Sequence, residues 1–412
     1  MRSDGRGLRI GFDITALYIA QAGIFTYDLN LLRALLALDR ESEYLLLDYR
    51  PIHGRRAGPP ELDELRASNA RLVHCQGLRA RRLSRWRPLQ WPPVEGMARW
   101  LDRTLLWPWA AAAEAVMRRR LAPLLEGLDV FHSSEVLLWH QPGARNVVTL
   151  YDLTALLFPE YHTAETREWQ SRKIRFAQER ADVVVAISEA TKRDVVTHLG
   201  IPPERVRVVY GGVGPQFRPL ADRQAVAEAL APLGLVPEGY LLHVGTIEPR
   251  KNLLRLVEAY GQARRALPAP PQLALVGATG WQFRDLFQQV EALGLEQEVR
   301  FVGRVEAGLL PALYNGARLF VYPSLYEGFG LPVLEALACG TPVLASNTSS
   351  LPEIVGDAGV LVEPTDVAAL ADVLVGLLRD DERRQALRAA GPPRAARFTW
   401  EEAARRMMSV YF

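Results

Sequence analysis

The sequence predicts an α/β protein made of two doubly wound domains, each a parallel β-sheet with helices on both faces. Its 412 residues exceed what one hydrophobic core usually holds. Short β-rich runs alternate with helix-length segments, which is typical of parallel sheets. The alternation stops at the stretch RVRVVYGGVGPQFRPL and then begins again, which indicates a second domain. A hydrophobic content of 49% and a charged content of 23% are those of a water-soluble globular protein.

Strands and helices are predicted in order along both halves. In the first half, strands are expected at residues 8–13, 44–48, 128–134, 146–152 and 182–188, and helices at 23–38, 164–180 and 189–199. In the second half, strands are expected at residues 240–245, 272–277, 299–303, 318–324, 341–346 and 358–364. We place the domains at residues 1–218 and 219–398, followed by a helix at 399–412. Such domains hold ligands at the carboxyl ends of their strands.

Charge and cysteine content narrow the function classes. Residues 1–220 contain 31 basic and 25 acidic side chains, a net charge of +6, and the remainder contains 18 and 22, a net charge of −4. The two halves are therefore expected to meet different partners. Cys75 and Cys339 give neither a disulfide framework nor a metal-ligand spacing, which suits a reducing cytoplasm. We expect no signal peptide and no membrane-spanning segment, because no apolar run reaches about 20 residues.

The segment 79–120 breaks the alternating pattern. It holds ten arginines, three acidic residues and five of the nine tryptophans: Trp86, Trp91, Trp100, Trp107 and Trp109. One interpretation is an irregular helical insertion whose tryptophans pack on the first domain. A second is a basic, aromatic surface that lies in the headgroups of an anionic membrane. Stacking on single-stranded nucleic acid is disfavoured because the rest of the chain is not basic, so no nucleic-acid partner is expected.

The turn TIEPRKN follows the strand predicted at 240–245 and precedes a helix. Arg250 and Lys251 lie in this turn, where strand ends and helix N-termini already favour anions. Two adjacent cations there can neutralise a diphosphate and stabilise it as a leaving group. A solvated charge pair at a helix start is the plainer alternative. The chain has three lysines, of which Lys251 is one, and this rarity favours the phosphate site over the solvated charge pair.

The stretch SLYEGFGLPVLEALACG combines a glycine turn, a helix start and two carboxylates. Gly328 and Gly330 allow the backbone to approach a ligand closely, and the amides of residues 329–331 would point at it. Glu327 in the turn and Glu335 one helical turn into the helix can face one cleft. Carboxylates that accept two hydrogen bonds suit the paired hydroxyls of a ribose or a sugar. An ordinary turn and a solvent-facing helix carboxylate are the alternatives.

Residues 240–398 resemble the retaining glycosyltransferases of family 4, also called group 1, which have the GT-B fold, and most of all their mannosyltransferase branch. The matching pieces include HVGTIEPRKNLLRLVEAY, LVGATGW, SLYEGFGLPVLEALACG, LPEIVGDAGVLVEP and FTWEEAAR. The two glutamates fit the family's E-x7-E signature. In the first half, QAGIFTYDLNLLRAL, YDLTALLFPEYHT, ADVVVAISEATKRDV and VRVVYGGVGPQF also fit. The resemblance implies two Rossmann-like domains facing a central cleft, the first binding the acceptor and the second the donor, with the last helix crossing back to the first.

The resemblance also implies a role for each matched residue. Glu335 would hold the nucleotide ribose, and Glu327 a hydroxyl of the donor sugar. Arg250 and Lys251 would hold the donor diphosphate. The donor site would be completed by Gly245, Thr246, Gly328, Phe329, Gly330 and Leu331. The loop of Ala22, Gly23 and Ile24 would approach the diphosphate from the acceptor domain. The candidate catalytic residues are Glu327, Arg250, Lys251, Tyr151 and Asp152.

Three positions depart from the family's pattern. Tyr151 stands where many members have a histidine near the reacting centre, and it can still hydrogen-bond a sugar. The family's Gly-Ile-Gly loop reads Gly23-Ile24-Phe25 here, which would narrow its approach to phosphate. Thr246 stands where other members carry an arginine, which would leave the phosphate contacts to Arg250 and Lys251.

The resemblance implies the retaining transfer of a hexosyl unit, α-mannosyl from GDP-mannose, to a saccharide or lipid-linked saccharide acceptor in the synthesis of a bacterial cell-surface polysaccharide or glycolipid. No cofactor and no metal are expected, because cations take the place of a metal and the motifs contain no Asp-x-Asp. The expected location is the cytoplasm, peripheral at the inner membrane face. The alternatives are a UDP- or dTDP-sugar donor, a sugar-nucleotide epimerase, and a non-catalytic sugar-nucleotide-binding protein. The sequence does not indicate the linkage formed or the oligomeric state.

Overall fold

The computed structural model describes residues 7–19, 23–51, 60–65, 69–77, 115–116, 119–278, 280 and 284–412. The chain divides into two compact units. The first comprises Met1–Thr149, Arg175–Val185 and Met407–Phe412, and the second comprises Leu150–Ile174 and Ala186–Arg406. Most of the segment 79–120 lies outside the described residues, so both interpretations of it stay open.

The first sheet has seven strands in the order β3-β2-β1-β4-β5-β6-β7. These strands are β1 Arg9–Asp13, β2 Glu43–Pro51, β3 Ala70–Gly77, β4 Val130–Ser133, β5 Arg145–Leu150, β6 Val183–Ala186 and β7 Val206–Val208. The pairings β1–β2, β1–β4, β2–β3 and β4–β5 are all parallel. Every residue of β4 and of β6 is buried, as expected of strands that are covered on both faces.

Helices connect these strands, and the apolar periodicity of the sequence explains which faces they bury. In Gly23–Leu38 the buried leucines recur three and four residues apart, which makes one continuous apolar stripe. Helix Glu189–Leu199 begins where the Ser188 hydroxyl accepts from the Thr191 amide, and it ends at Gly200 in the left-handed conformation. The other α-helices of this part are Ala16–Ile19, Thr154–Leu157 and Ala164–Glu179, and the 3₁₀ helices are Pro60–Leu65, Pro159–Tyr161 and Pro203–Arg205.

The second sheet has six strands in the order β10-β9-β8-β11-β12-β13. They are β8 Tyr240–Val244, β9 Gln272–Val276, β10 Val299–Gly303, β11 Leu319–Tyr322, β12 Val343–Ser346 and β13 Val360–Val362. All five pairings are parallel. From β8 the chain adds strands on one side, and from β11 it adds strands on the other. The strand order therefore reverses between β8 and β11, which is where doubly wound sheets bind ligands.

Helices pack on this sheet around a core that includes Leu241, Leu275, Leu319 and Leu374. The α-helices of this part are Arg223–Leu230, Leu253–Arg265, Arg284–Ala292, Leu310–Gly316, Leu331–Ala338, Leu351–Val355, Val367–Arg379 and Asp381–Ala395, and the last helix, Trp400–Tyr411, ends within the first unit. The 3₁₀ helices are Ala231–Leu233, Pro249–Lys251 and Ala307–Leu309. None of the helices among the described residues is long and apolar enough to cross a membrane.

The predicted fold class is confirmed, because both sheets are parallel and alternate with helices. The sequence analysis missed two strands, β3 and β7. The predicted strands ran two residues past the carboxyl ends of β5, β6, β11 and β13, and β11 ends at Tyr322 because Pro323 has no amide hydrogen to donate. Strands β1–β7 precede residue 219, and strands β8–β13 lie between residues 219 and 398. The exact domain boundaries stay a prediction.

Candidate active site

The turns that follow β8 and β11 lie side by side in the second unit, because these two strands are neighbours in the sheet. The Leu325 amide donates to the Arg250 carbonyl oxygen at 2.9 Å. In return, Arg250 Nη1 donates to the Tyr326 carbonyl oxygen at 2.8 Å. The Asn252 side chain donates to the carbonyl oxygen of Pro323 at 3.0 Å, so a third bond joins the turns. Two motifs about 75 residues apart in sequence thus form one surface.

Glu327 is the centre of a buried charge cluster. Its Oε2 lies 2.9 Å from Arg250 Nη1, and its Oε1 lies 2.6 Å from Lys251 Nζ. Burial raises the pKa of this carboxyl, but Arg250 and Lys251 outweigh that effect and hold the pKa at about 2. Arg250 also pairs with Glu248 at 2.7 Å, so two cations face two carboxylates. The structure thus brings together three of the residues predicted to hold the sugar and the diphosphate.

Lys251 is held by a tyrosine that sequence reasoning missed. Lys251 Nζ donates to Tyr322 Oη at 2.8 Å, and the Tyr322 ring stacks on His243 with ring centroids 5.2 Å apart. Burial and the nearby Arg250 charge lower the pKa of Lys251. Burial also lowers the pKa of His243 to about 4, so this imidazole is neutral at pH 7. No pattern in the sequence marked Tyr322, since an aromatic residue in a buried strand is ordinarily part of the core.

The glycine turn packs closely against the segment after β5. A Cβ on Gly328 would lie 2.1 Å from the Tyr151 carbonyl oxygen, so a side chain at this position would displace the backbone. Gly330 has a φ of 109°, which L side chains rarely adopt. Helix Leu331–Ala338 then begins with no side-chain cap. Pro332 has no amide hydrogen and the Val333 amide donates to the Gly330 carbonyl oxygen at 3.0 Å, so an anion at this helix start would meet the Leu331 amide and the positive end of the helix dipole.

Tyr151 and Asp152 lie behind this turn. The Lys173 ammonium lies 4.6 Å from the centre of the buried Tyr151 ring. Asp152 Oδ1 accepts from the Thr154 amide at 2.9 Å and from the Thr154 hydroxyl at 2.6 Å, which fixes the start of a short helix. The Asp152 charge contributes to raising the pKa of Arg250. Both residues therefore adjoin the Glu327 cluster, and their catalytic role stays a prediction.

Glu335 lies one helical turn beyond the glycines and has a hydrogen-bond partner of its own. Tyr314 Oη donates to its Oε2 at 2.8 Å. The side chain is half-buried. Its withdrawal from water raises the pKa of Glu335 to about 7, and the bond from Tyr314 only partly offsets this effect. The sequence analysis identified Glu335 but missed Tyr314.

The remaining predicted residues lie just after β8, at Gly245 and Thr246, and in the first unit, at the start of helix Gly23–Leu38. A Cβ on Gly277 would lie 1.9 Å from the Gly245 carbonyl oxygen, so the segments after β8 and β9 touch at this pair. Thr246 lies beside Gly280 in the same place. Gly23 and Ile24 begin a helix of the first unit, as predicted from the sequence, and Ala22 lies outside the described residues. Among the described residues, no cluster of three or more His, Cys, Asp or Glu side chains could hold a metal ion. Metal independence stays a prediction.

Two protein-family models match most of the chain, and both describe glycosyltransferases. The family model described as Glycosyltransferase Family 4 matches residues 29–217, and the model described as Glycosyl transferases group 1 matches residues 232–394. The O-antigen chain mannosyltransferase B of Escherichia coli is 34% identical over 282 residues, which cover 68% of this chain and 74% of that protein. The chain belongs to the GT-B glycosyltransferases.

Other relatives of this glycosyltransferase agree with the assignment. The serotype-specific mannosyltransferase WbdA of Escherichia coli is 32% identical over 63% of the chain, which spans about a third of the length of WbdA. Among solved structures, the sucrose-phosphate synthase of Thermosynechococcus elongatus superposes with a TM-score of 0.71 at 24% identity over 98% of both chains. WaaG, a glycosyltransferase involved in lipopolysaccharide biosynthesis, superposes with a TM-score of 0.68 at 16% identity over 98% of this chain and 99% of that one. These likenesses support the GT-B fold.

Proposed function

We propose that this glycosyltransferase moves an α-mannosyl unit from GDP-mannose, with retention of configuration, to a saccharide or lipid-linked saccharide acceptor in the synthesis of a cell-surface polysaccharide or glycolipid. The observation that carries the proposal is the Arg250–Glu327–Lys251 cluster beside an uncapped helix N-terminus. The name of its E. coli relative, an O-antigen chain mannosyltransferase, supports the choice of sugar and pathway.

The cluster offers one group for each part of such a donor. Arg250, Lys251 and the Leu331 amide at the start of helix Leu331–Ala338 suit the diphosphate, whose charge grows as it leaves. Glu327 suits a hydroxyl of the sugar, and Glu335 suits the ribose diol. Because Glu248 and Glu327 already balance the two cations, the diphosphate would replace carboxylate contacts of Arg250. The helix dipole would then favour the bound anion.

The proposed mechanism is substitution on one face of the sugar through an oxocarbenium-like state. Glu327 makes a weak nucleophile, because two cations hold its carboxylate and keep its pKa at about 2. A glycosyl-enzyme at this residue is therefore disfavoured. The leaving diphosphate would accept the proton of the acceptor hydroxyl, while the protein positions the reactants and stabilises the charge. This mechanism requires no metal and no cofactor.

A thermal-shift panel of GDP-, UDP- and dTDP-sugars, followed by a transfer assay, tests the proposal. We expect GDP-mannose to raise the melting temperature most, because at equal concentration the tighter-binding ligand stabilises the folded state more. We also expect mannosylated product with a saccharide acceptor, and none from the Glu327→Ala variant. Stabilisation by UDP- or dTDP-sugars alone would contradict the mannosyl assignment. An epimerised donor, or binding without turnover, would contradict the transferase activity.

A further inference from the structure

The turn that carries Glu327 is held from behind by Ser349 and Ser350. Ser349 Oγ accepts from the Glu327 amide at 2.9 Å. The buried Ser350 hydroxyl lies 2.9 Å from the Glu327 carbonyl oxygen and 2.7 Å from that of Phe329, and it donates to these oxygens. Ser349 has a φ of 52°, in the left-handed region that non-glycine residues rarely adopt. The backbone is therefore constrained at the point where it supports the turn.

The next residues along the chain form the short helix Leu351–Val355, whose Glu353 reaches a second element. Glu353 Oε1 accepts from the Ala190 amide at 2.9 Å, and its Oε2 accepts from the Glu189 amide at 3.0 Å. These amides are in the first turn of helix Glu189–Leu199, where a carboxylate is favoured by the dipole. Tyr210 Oη donates a third hydrogen bond to Glu353 Oε2 at 2.7 Å. Three donors thus fix this carboxylate.

Helix Glu189–Leu199 touches the turn directly at two further places. The Thr191 hydroxyl lies 3.3 Å from the Gly328 carbonyl oxygen. Tyr326 Oη donates to the carboxylate of Asp194. The residues on both sides of Glu327 are therefore bonded to the helix whose first turn Glu353 caps.

We propose that Glu353 is a positioning residue for sugar transfer, one that fixes the Glu327–Leu331 turn against helix Glu189–Leu199 through Ser349 and Ser350. The inference rests on the proposed function of the turn. Glu335 bonds to Tyr314 and takes no part in this network. Loss of Glu353 is therefore expected to impair the contacts made by the Glu327–Leu331 turn more than the ribose contact of Glu335.

The test compares Glu353→Gln with Asp222→Asn. Asp222 caps helix Arg223–Leu230 in the same unit by accepting from the Ala225 amide at 2.9 Å, so both variants change a capping carboxylate to an amide. For Glu353→Gln we expect kcat to fall about tenfold, because the turn is displaced from the reacting geometry. We expect GDP affinity to fall less than kcat, because the ribose contact of Glu335 lies outside this network, and the amides of residues 327–331 to exchange hydrogen faster. Asp222→Asn should leave all three quantities unchanged.

The proposal is overturned if Glu353→Gln matches Asp222→Asn in kcat and in exchange, or if GDP affinity falls as much as kcat/KM. Ser349→Ala gives a second variant if Glu353→Gln does not fold. It removes the acceptor for the Glu327 amide and leaves the helix cap intact, and it should reproduce the loss of kcat. If the wild-type chain transfers no sugar, the proposed function fails, and hydrogen exchange, which needs no substrate, still decides whether Glu353 fixes the turn.

Discussion

Glu327 and Glu335 lie eight residues apart in sequence, yet their pKa values shift in opposite directions. Two cations outweigh burial at Glu327 and hold its pKa at about 2. At Glu335, burial outweighs the hydrogen bond from the Tyr314 hydroxyl and raises the pKa to about 7. The charge of Glu327 is therefore constant in the physiological range, whereas Glu335 changes its charge there.

Donor affinity should depend on pH through Glu335. Because the pKa of Glu335 is raised, its carboxyl is protonated below about pH 7 and accepts two hydroxyl hydrogen bonds fully only above it. We therefore expect GDP-mannose affinity to rise between pH 6 and pH 8. Isothermal titration over this range measures it. Glu335→Gln should bind more weakly and show no such rise, and an equal rise in that variant would exclude Glu335 as its source.

Removal of Lys251 should lower both the stability and the activity of the protein, for two different reasons. Lys251→Met leaves the buried Glu327 with one cation, which should cost about 3 kcal/mol in the free energy of unfolding. It should also lower kcat about a hundredfold by weakening contact with the leaving diphosphate.

The double variant Lys251→Met/Glu327→Gln is the control for this prediction. It removes the unpaired charge, so urea unfolding should show recovered stability while activity stays low. Recovery of activity along with stability would mean that Lys251 acts only through folding.

Sequence reasoning identified the charged residues of the site because their chemistry is unusual at a strand end. Each of these residues follows a strand or lies at a helix start, and such positions can be recognised from the sequence alone: Arg250, Lys251, Glu327 and Glu335. Their supports were not visible. Tyr322 is ordinary in a buried strand, and Glu353 becomes informative only when the fold places it on the first turn of a helix more than 150 residues earlier.

At the level of elements, the site depends on the adjacency of β8 and β11. The sequence predicted both strands, and the reversal of strand order between them sets their turns side by side. The short strands β3 and β7 escaped prediction. β3 combines an arginine, a histidine and a glutamine with few apolar residues, and β7 has only three residues. In the first sheet, period and hydrophobicity therefore predicted the central strands and missed the two at its ends, whereas both end strands of the second sheet were predicted.

Gly328→Ala tests the close packing of the glycine turn. The new Cβ would lie 2.1 Å from the Tyr151 carbonyl oxygen, so the turn must shift and carry Glu327 with it. We expect kcat to fall about a hundredfold in the transfer assay, together with a lower melting temperature. Gly376→Ala is the control, because its Cβ would meet nothing within 4 Å in an exposed position of helix Val367–Arg379. That change should stabilise by about 0.5–1 kcal/mol and preserve activity. Full activity in Gly328→Ala would show that the turn tolerates movement.

For the molecule as a whole, the uneven charge predicts that the basic first half binds the anionic membrane that would carry a lipid-linked acceptor. The first 220 residues carry a net charge of +6, and the tryptophans of segment 79–120 belong to that half. We expect co-sedimentation with anionic vesicles that weakens as salt increases and is absent with neutral vesicles. The double variant Trp107→Ala/Trp109→Ala should reduce it, and Trp169→Ala, outside the segment, should not. Binding that ignores lipid charge or these tryptophans would favour an insertion that packs on its domain.

The position of Lys251 between β8 and β11 also bears on the order of folding. Its partners Tyr322 and Glu327 come about 70 residues later in the chain, in β11 and the turn after it. Until β11 docks, burial of this ammonium would be costly, so we expect the end of β8 to stay hydrated until then. Pulse-labelling hydrogen exchange during refolding should show the amides of β8 and β11 gaining protection at the same time. Pairing of β8 with β9 should not be enough to protect β8. Earlier protection of β8 would contradict this order. The pair of charges that we propose for the donor site would then also set when the centre of the sheet closes.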